Sequence, residues 1–236
     1  MKPYGWWMEL EQKQKLTAAL AGAVRELAAA GVPSPAVDAR ALAAHVLGKH
    51  LALAPSEFSP QQYANFSSLV SQRAQRIPLQ HLIGKMWFRY LELKSVPGVF
   101  IVRPETELVA GEAISEIQRL QLIGEKDPLT IDLCTGSGAI ALAVATETKN
   151  RNVHAVELAE NAFMLAETNN IAYGSPVTFR IGDALTEFSE FIGKAAVVVS
   201  NPPYVPLTHE LSPEVLADPE EALLAAAPTG LISRVN

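Results

Sequence analysis

The chain has 236 residues, 49% apolar and 19% charged, which suffices for a sizeable core and excludes disorder as the main state. A net charge of −6 disfavours a broad nucleic-acid footprint, no stretch suits a membrane span, and the start of the chain, with Glu9 and Glu11, does not read as a secretory signal. A single cysteine, Cys134, excludes an internal disulfide framework and suits a reducing compartment, so a cytoplasmic location is expected.

The first eighty residues read as helices. Leu16, Leu20, Ala23, Val24 and Leu27 recur at helical spacing and the pattern stops at Gly31. Ser34-Pro35 predicts an N-cap and a first-turn proline, followed by a helix carrying Val37, Ala41, Leu42 and Val46 inward. Ser59-Pro60 repeats the signal ahead of Tyr63, Phe66, Leu69 and Val70. Residues 1–80 are therefore expected to form a helical domain. Two short aromatic and β-branched runs follow, Met86–Leu93 and Val99–Val102, separated by Pro97-Gly98, and they predict a β-hairpin linker over 81–103. Pro104 then opens a helix through Thr106, Leu108, Val109, Ala113 and Ile117. From Leu129 strands and helices alternate: strands at Leu129–Leu133, Asn152–Val156, Val177–Ile181 and Ala195–Ser200, helices at Ala139–Thr148 and Ala159–Ile171. Continuous apolar strands in this alternation predict an α/β domain over 104–236, with a parallel sheet covered on both faces.

Four strand ends carry the chemistry. Asp132-Leu133-Cys134-Thr135-Gly136-Ser137-Gly138 ends one strand and opens a helix. Its glycines allow close backbone approach, and the helix N-terminus offers free N–H groups. A dinucleotide fingerprint needs a third glycine where Ala141 stands. Asp132 suits a cationic ligand, and S-adenosylmethionine carries an ammonium and a sulfonium. The plain alternative is an ordinary strand–helix turn. Glu157 ends the next strand, where an acid binds ribose hydroxyls; otherwise it caps the following helix. Asp183 ends the third, as an adenine acceptor or a turn residue. Asn201-Pro202-Pro203-Tyr204 follows the fourth. Its prolines remove two donors, so the Asn201 side chain and the Pro202 carbonyl can hold both hydrogens of one NH₂ group, with Tyr204 as an aromatic wall. The plain reading here is a proline turn. Cys134 reads as a small buried thiol rather than a nucleophile, the five histidines show no metal spacing and no metal is expected, and Arg73, Arg76 and Lys85 read as solvated charges, the alternative being part of a basic partner surface.

In this order the motifs resemble class I methyltransferases that act on planar NH₂ groups. Pro97–Glu107, Asp132–Ala143, Leu211-Ser212-Pro213-Glu214-Val215 and the Arg73-x-x-Arg76-x-Pro78-x-x-His81-x-x-Gly84 segment are similar to the peptide chain release factor N5-glutamine methyltransferase family. The resemblance implies a Rossmann-like S-adenosylmethionine-dependent fold behind a helical substrate-recognition domain. It implies methyl transfer to the glutamine of a release factor's Gly-Gly-Gln tip, with S-adenosylhomocysteine as product, and no membrane or direct nucleic-acid partner. It places Asp132, Leu133, Cys134, Thr135, Gly136, Gly138, Glu157, Asp183, Ala184 and Asn201 at the cofactor. It places Phe100, Arg103, Glu105, Thr106, Asn201, Pro202, Pro203 and Tyr204 at the substrate, with Asn201, Pro202 and Tyr204 catalytic and Glu107 near the same mouth. Three positions depart from the family pattern: Val102 replaces a usual proline, Cys134 a usual glycine and Glu157 a usual aspartate. The family also continues past Gly230-Leu231 through a helix and three strands. The chain is thus expected to be incomplete at its C-terminal end by roughly 40–60 residues, leaving Ala195–Ser200 as a sheet edge prone to aggregation. The alternatives are adenine-N6 methylation of nucleic acid and an inactive truncated homologue.

Overall fold

The computed structural model describes residues 14–203 and 211–223. The chain divides into two units, Met1–Ile83 and Gly84–Asn236.

In the first unit, β1 (Gln14–Lys15) runs into α1 (Leu16–Ala29), followed by α2 (Pro35–Leu47), β2 (Glu57–Phe58), α3 (Pro60–Ala74) and α4 (Leu79–Ile83). β1 and β2 pair antiparallel. Leu27, Leu42, Phe58 and Phe66 are withdrawn from water, and the two phenylalanine rings stack at 5.1 Å. The Ser59 hydroxyl accepts from Gln62 N while Gln62 Oε1 accepts from Ser59 N, a reciprocal cap worth about 1 kcal/mol. Ser34 holds the equivalent position before α2 without a side-chain bond.

Two expectations fail here for one reason. Val37 is exposed, because α2 turns Asp38, Ala39, Leu42, Ala43 and Leu47 inward instead. Asp38 can face the core because Arg73 on α3 meets it: Nε donates to Oδ2 at 2.7 Å, and both side chains are buried. Arg73 is therefore not a solvated charge. A buried carboxylate with a buried guanidinium partner is tolerated where either alone would be strongly destabilising.

The second unit opens with β3 (Lys85–Phe88) and β4 (Leu91–Lys94), an antiparallel hairpin. Its turn is Arg89-Tyr90, not Pro97-Gly98, and Val99–Val102 forms no strand. The alternation explains the choice: Met86, Phe88, Leu91 and Leu93 face the core while Trp87, Glu92 and Lys94 face out. Arg89 takes φ +51°, which costs about 1–2 kcal/mol. Burying Phe88 and Leu91 offsets this at about 1.5–3 kcal/mol each. Arg89 also forks onto Glu147 at 2.6 and 2.8 Å.

Next come α5 (Thr106–Leu122), β5 (Thr130–Leu133), α6 (Ala139–Thr148), β6 (Val153–Glu157), α7 (Glu160–Ala172), β7 (Thr178–Ile181), β8 (Val197–Ser200) and α8 (Glu220–Leu223). The four later strands form one parallel sheet, order β7-β6-β5-β8. Val153, Ala155, Phe179, Val197 and Val199 share one face and pack with α5, α6 and Ala166 of α7. Every residue of α6 from Ala139 to Ala145 is buried, which is why it shows no polar face. The other face is covered differently. Ile131 and Val156 lie under Phe188, with Leu133, Ala184, Phe191 and Ala195 around them. Among the described residues a loop and a 3-10 turn do this, not a helix, and Val198 on edge strand β8 is 58% exposed. The sheet is thus covered on both faces, but unevenly among the described residues: helices on one, a loop and a 3-10 turn on the other.

Candidate active site at the strand tips

The parallel register brings the four acidic and amide motifs to one end of the sheet. Leu133 pairs with Val156 on one side and Ser200 on the other, so Glu157 and Asn201 leave their strands beside the Cys134–Gly138 turn. Asp183 follows β7 at the same end, exposed, its Oδ1 accepting from Leu185 N at 2.9 Å. Ligands of open α/β sheets bind beyond these carboxyl ends.

Asp132 is fully buried beneath the turn. Its Oδ2 accepts from Thr135 Oγ1 at 2.5 Å and Ala141 N at 3.2 Å, whereas Oδ1 is buried without a partner. Burial pushes its carboxyl up to about 7 against the pull of those two bonds, and nearby Glu157 pushes the same way. Glu157 holds the turn from its other side. Oε2 accepts from Gly136 N at 2.8 Å, and Oε1 from Leu158 N and Ala159 N at 3.0 and 2.9 Å. A carboxylate has about four acceptor sites, so one remains for a ligand.

The two glycines do different work. Gly136 has φ +59° and open space where a side chain would be. Gly138 has φ +83°, and a Cβ there would stand 2.9 Å from the Phe179 ring. Gly136 keeps the approach clear, and Gly138 lets α6 seat on the sheet. Cys134 takes φ +58° despite its side chain. Burial, with Glu157 and Asp132 nearby, pushes its thiol up to about 11, which keeps it protonated and a poor nucleophile.

Asn201, Pro202 and Pro203 are half-buried after β8; Tyr204 lies outside the described residues. Asn201 Nδ2 donates to the buried Thr106 hydroxyl at 3.2 Å, leaving Oδ1 as the acceptor. Thr106 opens α5, its N–H on Arg103 O at 3.0 Å. The Arg103 guanidinium lies over the Phe100 ring at 5.2 Å. Glu105 is exposed. Glu107 turns away: its Oε1 accepts from Arg89 N at 3.0 Å, so it braces the hairpin instead of the mouth. Leu133 contributes its carbonyl to Ser200 Oγ at 2.8 Å, and Ala184 packs under the sheet. Among the described residues no group of His, Cys, Asp and Glu could hold a metal, and no helix is long and apolar enough to cross a membrane.

The family model "PrmC N-terminal domain" matches residues 18–84 and "Methyltransferase small domain" matches 111–229. The release factor glutamine methyltransferase of Streptomyces coelicolor is 46% identical over 89% of this chain and 74% of its own. The chain belongs to the release factor glutamine methyltransferase family. The Mycolicibacterium smegmatis member is 42% identical, covering 92% of this chain and 76% of its own. A 4-amino-L-phenylalanine/4-methylamino-L-phenylalanine methyltransferase of Streptomyces pristinaespiralis is 34% identical over 89% and 73%. The Rossmann-like methyltransferase fold of the family is the one seen here in β5 to β8 and the helices on them.

For this member of the release factor glutamine methyltransferases, two residues at the site escaped the sequence reading. Asn169 on α7 is buried; its Nδ2 donates to Ser137 O of the glycine turn at 3.0 Å, and its Oδ1 accepts from Lys94 N at 2.8 Å. The only hint was a pair of asparagines within a helical pattern. Asp218 is the second. Its Oδ1 accepts from Ile101 N at 3.0 Å and its Oδ2 pairs with Arg103. Its position just beyond Leu211–Val215 was the available signal.

Proposed function

We propose that the chain transfers a methyl group from S-adenosylmethionine to the side-chain amide nitrogen of the glutamine in a release factor's Gly-Gly-Gln tip. Family membership supports the reaction class. The observation that carries the site is the Asn201 amide: it leaves β8 beside the glycine turn, and its Nδ2 is tied to Thr106, which leaves Oδ1 as the acceptor.

The residues at the strand tips fit the cofactor. The partnerless Oδ1 of Asp132 is a buried acceptor under the turn, Gly136 leaves open space above it, and Glu157 keeps one acceptor site for a ribose hydroxyl. Thr135 and Gly138 shape that turn, Leu133 and Cys134 lead into it, and Asp183 with Ala184 forms the adenine side. When bound, the cofactor supplies an electrophilic methyl on a sulfonium.

The protein's own task is to prepare a poor nucleophile. An amide nitrogen has its lone pair delocalised into the carbonyl. Asn201 Oδ1 and the Pro202 carbonyl accept from the two amide hydrogens, fix the plane of the NH₂ group and push electron density back toward nitrogen. Holding the nitrogen in line supplies several kcal/mol, on the order of 7–11 in the best oriented systems. Pro202 and Pro203 stiffen the loop; the aromatic wall expected of Tyr204 lies outside the described residues. Phe100, Arg103, Glu105 and Thr106 form the opposite wall. The methylated nitrogen is strongly acidic, so loss of its proton to water completes the reaction without a dedicated base. The helical unit recognises the substrate protein.

Tritiated methyl transfer tests this reading. Label is expected on a release factor and absent from its Gln→Ala variant. Label on DNA, RNA or a free aromatic amine, with none on the release factor, overturns it.

A further inference from the structure

Asp218 lies outside every motif discussed above, yet its carboxylate reaches back across the chain to two residues of the Phe100–Arg103 segment. Local sequence makes this possible. Ser212 O accepts from Val215 N and Leu216 N, starting a 3-10 turn over Val215–Ala217. Pro219 then holds Asp218 in an extended conformation, φ −76° and ψ 153°, which ends the turn. The Asp218 side chain has no exposed surface.

Both carboxylate oxygens act on the same segment. Oδ1 takes the Ile101 N–H, and Ile101 is itself buried in the sheet-side core. Oδ2 pairs with Arg103 Nη2; the Arg103 side chain is 28% exposed, and its guanidinium lies over Phe100. Backbone and side chain are thus held at adjacent points, which fixes the direction of Phe100 and Arg103 as well as their place. Pure stability does not call for this arrangement, since well-packed apolar residues often replace a buried ion pair at no cost. What an apolar residue at 218 could not do is aim a guanidinium.

We infer that Asp218 is a positioning residue for the protein substrate: through Ile101 N and the Arg103 guanidinium it sets the Phe100–Arg103 wall against which the release factor tip seats. This rests on the release factor reading above. Asp218 acts through that wall: among the described residues its bonds go to Ile101 N and the Arg103 guanidinium.

The test uses the full chain with Asp218→Asn, Asp218→Glu, Arg103→Met and the Arg103→Met/Asp218→Asn double variant. Steady-state methylation of a release factor is measured, with release factor affinity in the presence of S-adenosylhomocysteine. Asp218→Asn keeps an acceptor for Ile101 N but loses the charge. Its release factor KM and Kd are expected to rise about tenfold, with kcat and the cofactor KM changing less than about threefold. The melting shift produced by S-adenosylhomocysteine should persist, which separates a loosened wall from a collapsed fold. Asp218→Glu should recover part of the KM. The double variant should be no worse than Arg103→Met, because both changes break one link. Unchanged KM and Kd in Asp218→Asn beside an active parent overturn the inference alone, as does a kcat loss with KM unmoved. Failure of the parent to bind or label a release factor overturns the functional reading, and this inference with it.

Discussion

The floor of the site around Asp132 and its mouth around Asn201 are held by different kinds of bond. The floor is local. Asp132 reaches three and nine residues ahead, to Thr135 and Ala141, and Glu157 reaches back 21 to Gly136. The mouth is stitched from distant parts of the chain: Asn201 to Thr106 across 95 residues, Asp218 to Arg103 and Ile101 across 115 and 117. A short-range floor forms with its own strand and helix. A long-range mouth exists only when α5, β8 and the segment before α8 are all in place. The comparison predicts that mutations in the mouth damage activity at little cost to the sheet, while mutations in the floor shift the stability of the fold itself, in either direction.

The largest effect is expected in the mouth. Asn201→Ala removes one of the two proposed acceptors for the glutamine amide. Methyl transfer should fall about 10²–10³-fold, by analogy with loss of one preorganised hydrogen-bonding group elsewhere. The melting temperature without ligand should move little, because Asn201 is half-buried and, among the described residues, its side chain bonds to Thr106. A melt lowered as much as by the floor variants would erase the distinction between the two regions.

In the floor the two glycines should separate. Gly138→Ala meets the Phe179 ring at 2.9 Å with φ at +83°, so about 2–4 kcal/mol of stability should be lost in a denaturant titration. Gly136→Ala meets nothing and bears the backbone cost alone, about 1–2 kcal/mol. Its larger consequence should be weakened S-adenosylhomocysteine binding, read by calorimetry. Equal stability losses at the two positions would remove the assignment of Gly138 to packing and Gly136 to approach.

The same contrast explains what could be read in advance. Asp132–Gly138 and Glu157 are contiguous signals on strand ends, and the alternation of β5, α6, β6 and α7 orders them without knowledge of any distant residue. The hairpin went astray because Pro97-Gly98 is a strong turn signal, whereas Arg89-Tyr90 carries none. Only the in-out alternation from Met86 to Leu93 favoured the observed turn. Arg73 reads as a solvated charge because a buried pair looks like two surface charges until α2 and α3 are packed. Asp218 and Asn169 carry only weak sequence signals, since each works through partners that sequence spacing does not bring together.

Asp132 gives the floor a pH signature. Its folded carboxyl titrates near 7, well above the ordinary 3.8. Between those values the folded state holds a proton that the unfolded state releases, so stability is full below about pH 4 and falls as pH rises to 7. Asp132→Asn should flatten that decline in the ligand-free protein and raise its melting temperature at pH 8, by on the order of a few kcal/mol in stability. It should also shrink the melting shift caused by S-adenosylmethionine, whose ammonium would lose a charged acceptor. A slope unchanged in Asp132→Asn would place the proton elsewhere.

The smallest effect sharpens the floor further. Cys134 bears a left-handed φ of +58° just where the turn begins, a conformation costing a side-chain-bearing residue about 1–2 kcal/mol. Glycine removes that strain but loosens the unfolded chain and gives up a half-buried thiol, so Cys134→Gly should stabilise by only about 0.5–1 kcal/mol. Cys134→Ala is the discriminating partner. It removes the thiol and keeps the strain, so its denaturation midpoint should not rise. If alanine stabilises as much as glycine, the cost at this position comes from burying sulfur beside Asp132 and Glu157. If only glycine does, backbone geometry is the cause, and the floor's one poorly fitting residue is identified as Cys134.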